Sequence, residues 1–146
     1  MRIGEVARAV GTTPRTIRYY EEIGLMPSAA GRVAGTHRVY SEQDVEQLSE
    51  ILRLKELLGV TLDELRALVA DQEARAELRE EFMRPQTSPA RRRRILHELE
   101  DILERTQLLV DRRRAALDEL DAELADRRSR VRARSAELGR EVTATA

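Results

Sequence analysis

The sequence predicts an all-α fold with one small β-hairpin, and three observations lead to it. Helix start signals at Thr13-Pro14, Ser41 and Thr61 alternate with glycine stops at Gly11, Gly24 and Gly59. Between them, Met26 to Tyr40 contains Gly31 and Gly35 and ends in the apolar/polar alternation of Val39 and Tyr40, which suits a short hairpin better than a helix. Further on, Leu96, Leu103, Val110, Leu117, Leu124, Val131 and Leu138 recur at every seventh residue, the spacing of a coiled-coil seam.

Composition agrees. A chain of 146 residues with 3% aromatic and 36% charged side chains is poorly supplied for one large core and well supplied for long helices. The absence of cysteine excludes disulfides, thiol redox sensing and thiolate metal sites. No apolar run approaches a membrane span, and the N-terminus opens directly into an amphipathic pattern, so a soluble cytoplasmic protein is expected. The net charge of -1 decides nothing about nucleic acid, because a local basic face matters there rather than the total.

Each element has a local cause. Ile3 to Val10 places Ile3, Val6, Ala7 and Val10 on one helical face. Gly11 turns the chain, Thr13 is an N-cap, and Pro14 sits at N1, where its missing N–H costs nothing; a second helix therefore runs to about Glu22. Gly24 stops it and Pro27 prevents its resumption. Ser41 with Asp44 forms a capping box for a third helix, apolar at Val45, Leu48, Ile51, Leu52, Leu54 and Leu58 and ended by Gly59. Thr61 with Glu64 starts a short fourth helix through Leu62, Leu65, Leu68 and Val69, and Asp71 to Met83 continues in helical style. Arg84-Pro-Gln-Thr-Ser-Pro89 is the clearest break in the chain.

Ala7, Gly11 and Ile17 have the spacing of a helix-turn-helix: a small residue at the crossing, glycine at the turn, and a β-branched anchor under the second helix. Many helix pairs place Ala and Gly likewise, so the spacing alone leaves both readings open. A helix-turn-helix sets its second helix in the major groove and reads bases with its N-terminal residues. Those are Arg15 and Thr16 here, with Arg18 one turn on, and arginine suits both guanine edges and bidentate phosphate contact. The expected DNA-contacting set is Thr13, Arg15, Thr16, Arg18 and Tyr19 from this helix, Arg32, His37, Arg38 and Tyr40 from the hairpin, and Lys55 from the third helix.

Ile3-Gly-Glu-Val-Ala-Arg8, Thr16-Ile-Arg-Tyr-Tyr-Glu21, Gly24-Leu25, Pro27, Arg38-x-Tyr40 and Gly59-Val-Thr-Leu-Asp-Glu-Leu65 resemble the DNA-binding domain of the MerR family of bacterial transcription regulators. The likeness covers residues 1 to about 70. It implies a winged helix-turn-helix, a long C-terminal dimerisation helix, and binding to a near-palindromic site within an overlong promoter spacer. There the family bends and untwists DNA so that RNA polymerase holoenzyme uses both promoter elements. Two departures stand out. The family's wing commonly reads Gly-Tyr-Arg-x-Tyr, whereas this chain reads Gly35-Thr-His-Arg-Val-Tyr40, which shifts the position of Arg38. The family's metal and redox sensors use cysteines, which are absent here, so those subclasses are excluded.

Plainer roles compete for several of these residues. Tyr19 and Tyr20 point about 100° apart on one helix, so both cannot face the core; Tyr20 is expected inside and Tyr19 at phosphate. Arg15 and Arg18 compete with a reading as solvated charges. His37 reads as a polar wing-tip residue rather than a titrating sensor, and His97 as an edge residue of the long helix. Two distant histidines without thiols make no metal site, and no cofactor is expected.

A helix starting near Ser88-Pro89 reaches about Leu138, about 70 Å if unbroken at 1.5 Å per residue. Leu99, Leu120, Ile95 and Ile102 widen its stripe, while Thr106, Arg113, Arg127 and Arg134 are polar, so the seam weakens after 124. A seam this narrow needs a partner. Basic 91–94, acidic 98–104, basic 112–114, acidic 118–126 and basic 127–134 alternate along it. An antiparallel copy centred near 107 sets opposite signs together and stacks Leu96 on Leu117 and Leu103 on Val110. A centre near 117 also matches signs but moves the densest apolar turn off the middle. Exposed pairs add only tenths of a kcal/mol each and select register more than stability. The expected dimer contacts are Leu96, Leu99, Ile102, Leu103, Val110, Leu117 and Leu120.

The expected organisation is a winged helix-turn-helix over residues 1–70, a helical linker and break at 71–89, a long antiparallel coiled-coil dimerisation helix at 90–138, and a tail at 139–146. The expected function is a homodimeric, sequence-specific regulator of promoter DNA. An enzyme is not expected, given no cysteine, isolated histidines, no phosphate-binding glycine loop and no convergent carboxylate pair. The rival readings are a DNA-architectural or coiled-coil adaptor protein, and a small-molecule sensor with a pocket between the 71–94 segment and the dimer helices; the sequence names no effector.

Overall fold

The computed structural model describes residues 1–26 and 39–145. Five helices follow one another: α1 (Ile3–Val10), α2 (Pro14–Glu22), α3 (Glu42–Leu58), α4 (Leu62–Met83) and α5 (Pro89–Thr145). The chain divides into two compact units, Met1–Thr106 and Gln107–Ala146.

The first unit is built on well-capped helices. Gly11 closes α1 in the left-handed region at φ 72°, which L side chains avoid. The hydroxyl of Thr13 accepts from the Thr16 N–H at 3.2 Å, with Pro14 at N1. Ser41 and Asp44 form a reciprocal capping box at the start of α3, and Thr61 and Glu64 repeat it at α4. These caps satisfy first-turn N–H groups that a helix leaves without partners.

The core then closes around α1, α2, α3 and the start of α4. Val6, Ala7, Ile17, Tyr20, Leu25, Met26, Tyr40, Leu48, Ile51, Leu65 and Val69 form one buried cluster. Fully burying an aliphatic side chain such as Ile17 contributes about 1.5–3 kcal/mol. Tyr40 reaches this core because the backbone of residues 39–40 pairs with the N-terminal segment. The Tyr40 N–H donates to the Met1 carbonyl at 2.7 Å, and Arg2 and Val39 form an isolated antiparallel bridge. No strand is formed among the described residues. Residues 27–38 of the expected hairpin, Arg32, His37 and Arg38 among them, lie outside the described residues.

α4 is longer than its sequence signals suggested. No glycine or proline interrupts Leu62 to Met83, so the expected short fourth helix and the helical stretch after it are one 22-residue element. The break at 84–88 then turns the chain into α5. The Thr87 hydroxyl donates to the Glu81 carbonyl at 2.6 Å, and Arg92 donates to the carbonyls of Phe82 and Arg84. Two charged rungs tie α4 to the beginning of α5. Arg91 grips both carboxylate oxygens of Glu81 at 2.7 and 2.9 Å, and Arg105 grips both of Asp71 at 2.7 and 3.1 Å. Ile95 and Ile102 are buried within this same unit.

The second unit is helix alone. Every residue from 111 to 145 is exposed. Arg127–Glu123, Arg130–Asp126 and Arg134–Glu137 pair along its own surface, the side-chain spacing that supports a solvated helix. Its aliphatic stripe is uncovered: Leu117, Leu120, Leu124, Val131 and Leu138 are 45 to 68% exposed. Among the described residues no helix is long and apolar enough to cross a membrane.

Candidate DNA-contacting surface

α2 divides its side chains between two faces. Ile17 and Tyr20 are buried at 0% and 2% exposure and lock the helix onto the core. Arg15, Arg18 and Tyr19 stand on the exposed surface, Tyr19 at 46%. The two tyrosine rings lie 6.0 Å apart and are tilted by 44°, one buried and one exposed because successive residues point about 100° apart on a helix. At the helix start, the hydroxyls of Thr13 and Thr16 lie 3.0 Å apart, so both are engaged in the cap. That cap fixes the N-terminal turn from which Arg15 projects, and the amide end of the helix favours anions.

Lys55 joins this surface from α3. Its ammonium donates to the Tyr20 hydroxyl at 3.1 Å and lies 5.7 Å from that ring's centre. A residue 35 positions away is thereby held beside the exposed edge of α2. Tyr40, expected at the DNA, is instead 2% exposed, and its hydroxyl donates to Glu21 Oε1 at 2.7 Å. It ties the end of the Gly-rich segment to the last turn of α2. The Glu21 role was missed in the sequence because its partner comes from across the chain. Glu21 within the Arg-Tyr-Tyr-Glu run was the available signal.

The expected dimer contacts fall into three groups. Leu96, Leu103, Leu117 and Leu120 are about half exposed, between 48 and 54%. Leu99 and Val110 are intermediate. Ile102, at 6%, is buried by its own chain, as is Ile95 at 0%. The face of α5 that carries Ile95 and Ile102 is therefore committed before a second copy arrives.

No group of three or more His, Cys, Asp or Glu among the described residues is placed to hold a metal ion. The geometry defines a class: a paired-helix DNA-binding unit whose second helix is anchored by apolar residues and exposes arginines. The comparisons with known proteins agree. Residues 1–72 match the model of the MerR HTH family regulatory proteins. The chain is 40% identical over 111 residues to the HTH-type transcriptional regulator YfmP of Bacillus subtilis (strain 168), covering 76% of this chain and 78% of that protein. It is 35% identical over 135 residues to the nodulation protein NolA of Bradyrhizobium elkanii, covering 92% of this chain and 58% of NolA. Over 79 residues it is 44% identical to the HTH-type transcriptional activator TipA of Streptomyces coelicolor, of which it spans 30%. No solved structure matches. The chain belongs to the MerR family of DNA-binding transcriptional regulators.

Proposed function

We propose that the protein works in the cytoplasm as a homodimer that binds a near-palindromic promoter site and distorts its spacer, so that RNA polymerase holoenzyme can engage both promoter elements. The observation that carries this reading is the division of α2, with Arg15, Arg18 and Tyr19 exposed opposite buried Ile17 and Tyr20. Arg15 and Thr16 are assigned to base edges, and Arg18, Tyr19 and Lys55 to phosphates, with Arg32, His37 and Arg38 adding wing contacts. Thr13 and Tyr40 serve by positioning. Bending promoter DNA costs several kcal/mol, so these phosphate contacts have a deformation energy to offset.

The dimer uses the exposed stripe of α5. Intrachain burial of Ile95 and Ile102 weakens the case for a centre near 107 that rested on apolar density. Half-site spacing supports that centre independently. Centred at 107, the two copies' Pro89 residues stand roughly 54 Å apart along the axis, against roughly 84 Å for a centre at 117. Half-sites lie one helical turn apart, about 34–36 Å, which the shorter arrangement approaches better. The polar residues Arg127 and Arg134 on the stripe also fit a seam that ends near Leu124.

The test is Arg18→Ala against an operator obtained by in-vitro selection. Affinity is expected to fall by about tenfold or more, and the slope of log affinity against log salt to flatten by about one. Unchanged affinity and slope would contradict the assignment.

A further inference from the structure

We propose that a cleft between α3, α4 and the first part of α5 is a binding site for a short-chain carboxylate. The site is separate from the DNA-contacting surface and does not depend on that reading. The cavity has a volume of about 80 Å³ and is lined by apolar Leu54, Leu68 and Ile102 together with polar Asp71, Gln72 and Arg75. An apolar cavity of about 150 Å³ takes a benzene ring, so this one suits a molecule of about four to six heavy atoms.

The polar groups select the charge. Both oxygens of Asp71 accept from Arg105, and Glu50, also in the lining, accepts two bonds from Arg53 at 3.1 and 3.2 Å. The Thr106 hydroxyl is turned to the Ile102 carbonyl at 3.5 Å. The side chains of Arg75 and Gln72 make no hydrogen bond or ion pair with any described residue. Among the described residues the carboxylates and the hydroxyl of the cleft are therefore engaged, while the Arg75 guanidinium and the Gln72 amide keep donors without a partner. Both side chains are half-buried at the cleft, and a planar carboxylate matches a guanidinium fork in shape and charge. A short aliphatic stem covers Leu54, Leu68 and Ile102. An inorganic phosphate would leave that lining unfilled and bring a second negative charge near Asp71 and Glu50. Fatty acids and amino acids share this carboxylate, and they differ by an ammonium group.

The experiment is a titration of the isotope-labelled full chain with propionate, propionamide and L-alanine at constant ionic strength, followed by NMR without DNA. Propionate or L-alanine is expected to give saturable shifts at the Gln72 side-chain amide and the Leu68 and Ile102 methyl groups. The tighter of the two identifies the source of the carboxylate. Propionamide and the Arg75→Gln variant are expected to bind at least tenfold more weakly, with Arg75→Lys recovering part of the loss. Absence of saturable shifts with both acids overturns the proposal, as does equal binding of propionamide or indifference to Arg75→Gln. Operator binding, measured separately, reports on the DNA reading alone.

Discussion

Tyr20 and Tyr40 occupy the boundary between the core and the proposed DNA surface, and each phenol bonds a polar neighbour. The Tyr20 hydroxyl orients Lys55, and the Tyr40 hydroxyl holds Glu21. Tyr40→Phe keeps the ring in the core and removes the hydroxyl that bonds Glu21. Stability is expected to fall by about 1 kcal/mol, read as a shift in the urea midpoint at unchanged slope. A change in that slope, or no shift at all, would show that the hydroxyl has another role. The sequence told Tyr19 from Tyr20 because helical geometry alone separates their faces. It could not tell that Tyr40 is inside, since that follows from pairing of residues 39–40 with Met1 and Arg2, a contact between distant parts of the chain.

Helix starts and stops were readable from sequence because caps are local. Thr13, Ser41 and Thr61 begin helices, and Gly11 and Gly59 end them. The length of α4 was less accessible: its pattern changes after Val69 as it leaves the main cluster, although the helix itself continues. The α4–α5 turn was visible only as a break, whereas its arginine bonds needed three dimensions. Hydrogen bonding to Arg91 holds the Glu81 carboxyl below the ordinary glutamate value of 4.5. A carboxyl whose folded pKa is depressed adds stability that is complete above 4.5 and fades as pH falls through the lowered value. Glu81→Gln is therefore expected to lower the melting temperature at neutral pH and to narrow the gap from the parent as the solution is acidified. Parallel melting curves at every pH would remove Glu81 from this role. The pair is solvent-exposed, so the effect is small and diminishes with salt.

At the scale of the whole molecule, the seven-residue repeat gave the long helix but not the division of its faces. Ile95, Ile102 and Leu96 all read as seam and all lie in the first unit, yet Ile95 and Ile102 are buried there and only Leu96 is left uncovered. Period alone does not say which neighbour a hydrophobic face meets. Leu103 lies on the uncovered side at 52% exposure, so Leu103→Asp is expected to yield a monomer in sedimentation with the helices of residues 1–106 intact by circular dichroism. A variant that stays dimeric would move the seam elsewhere. Lower operator affinity should follow, since in the proposed dimer one copy contacts one half-site.

The exposed aliphatic stripe of α5 also bears on how the regulator responds to its own abundance. If half of the reading surface is supplied by a second copy, then below the dissociation constant of the dimer the number of assembled readers rises with the square of the copy number. Promoter occupancy would then respond to expression as a threshold, so that a modest change in synthesis or degradation of this one polypeptide becomes a larger change in output.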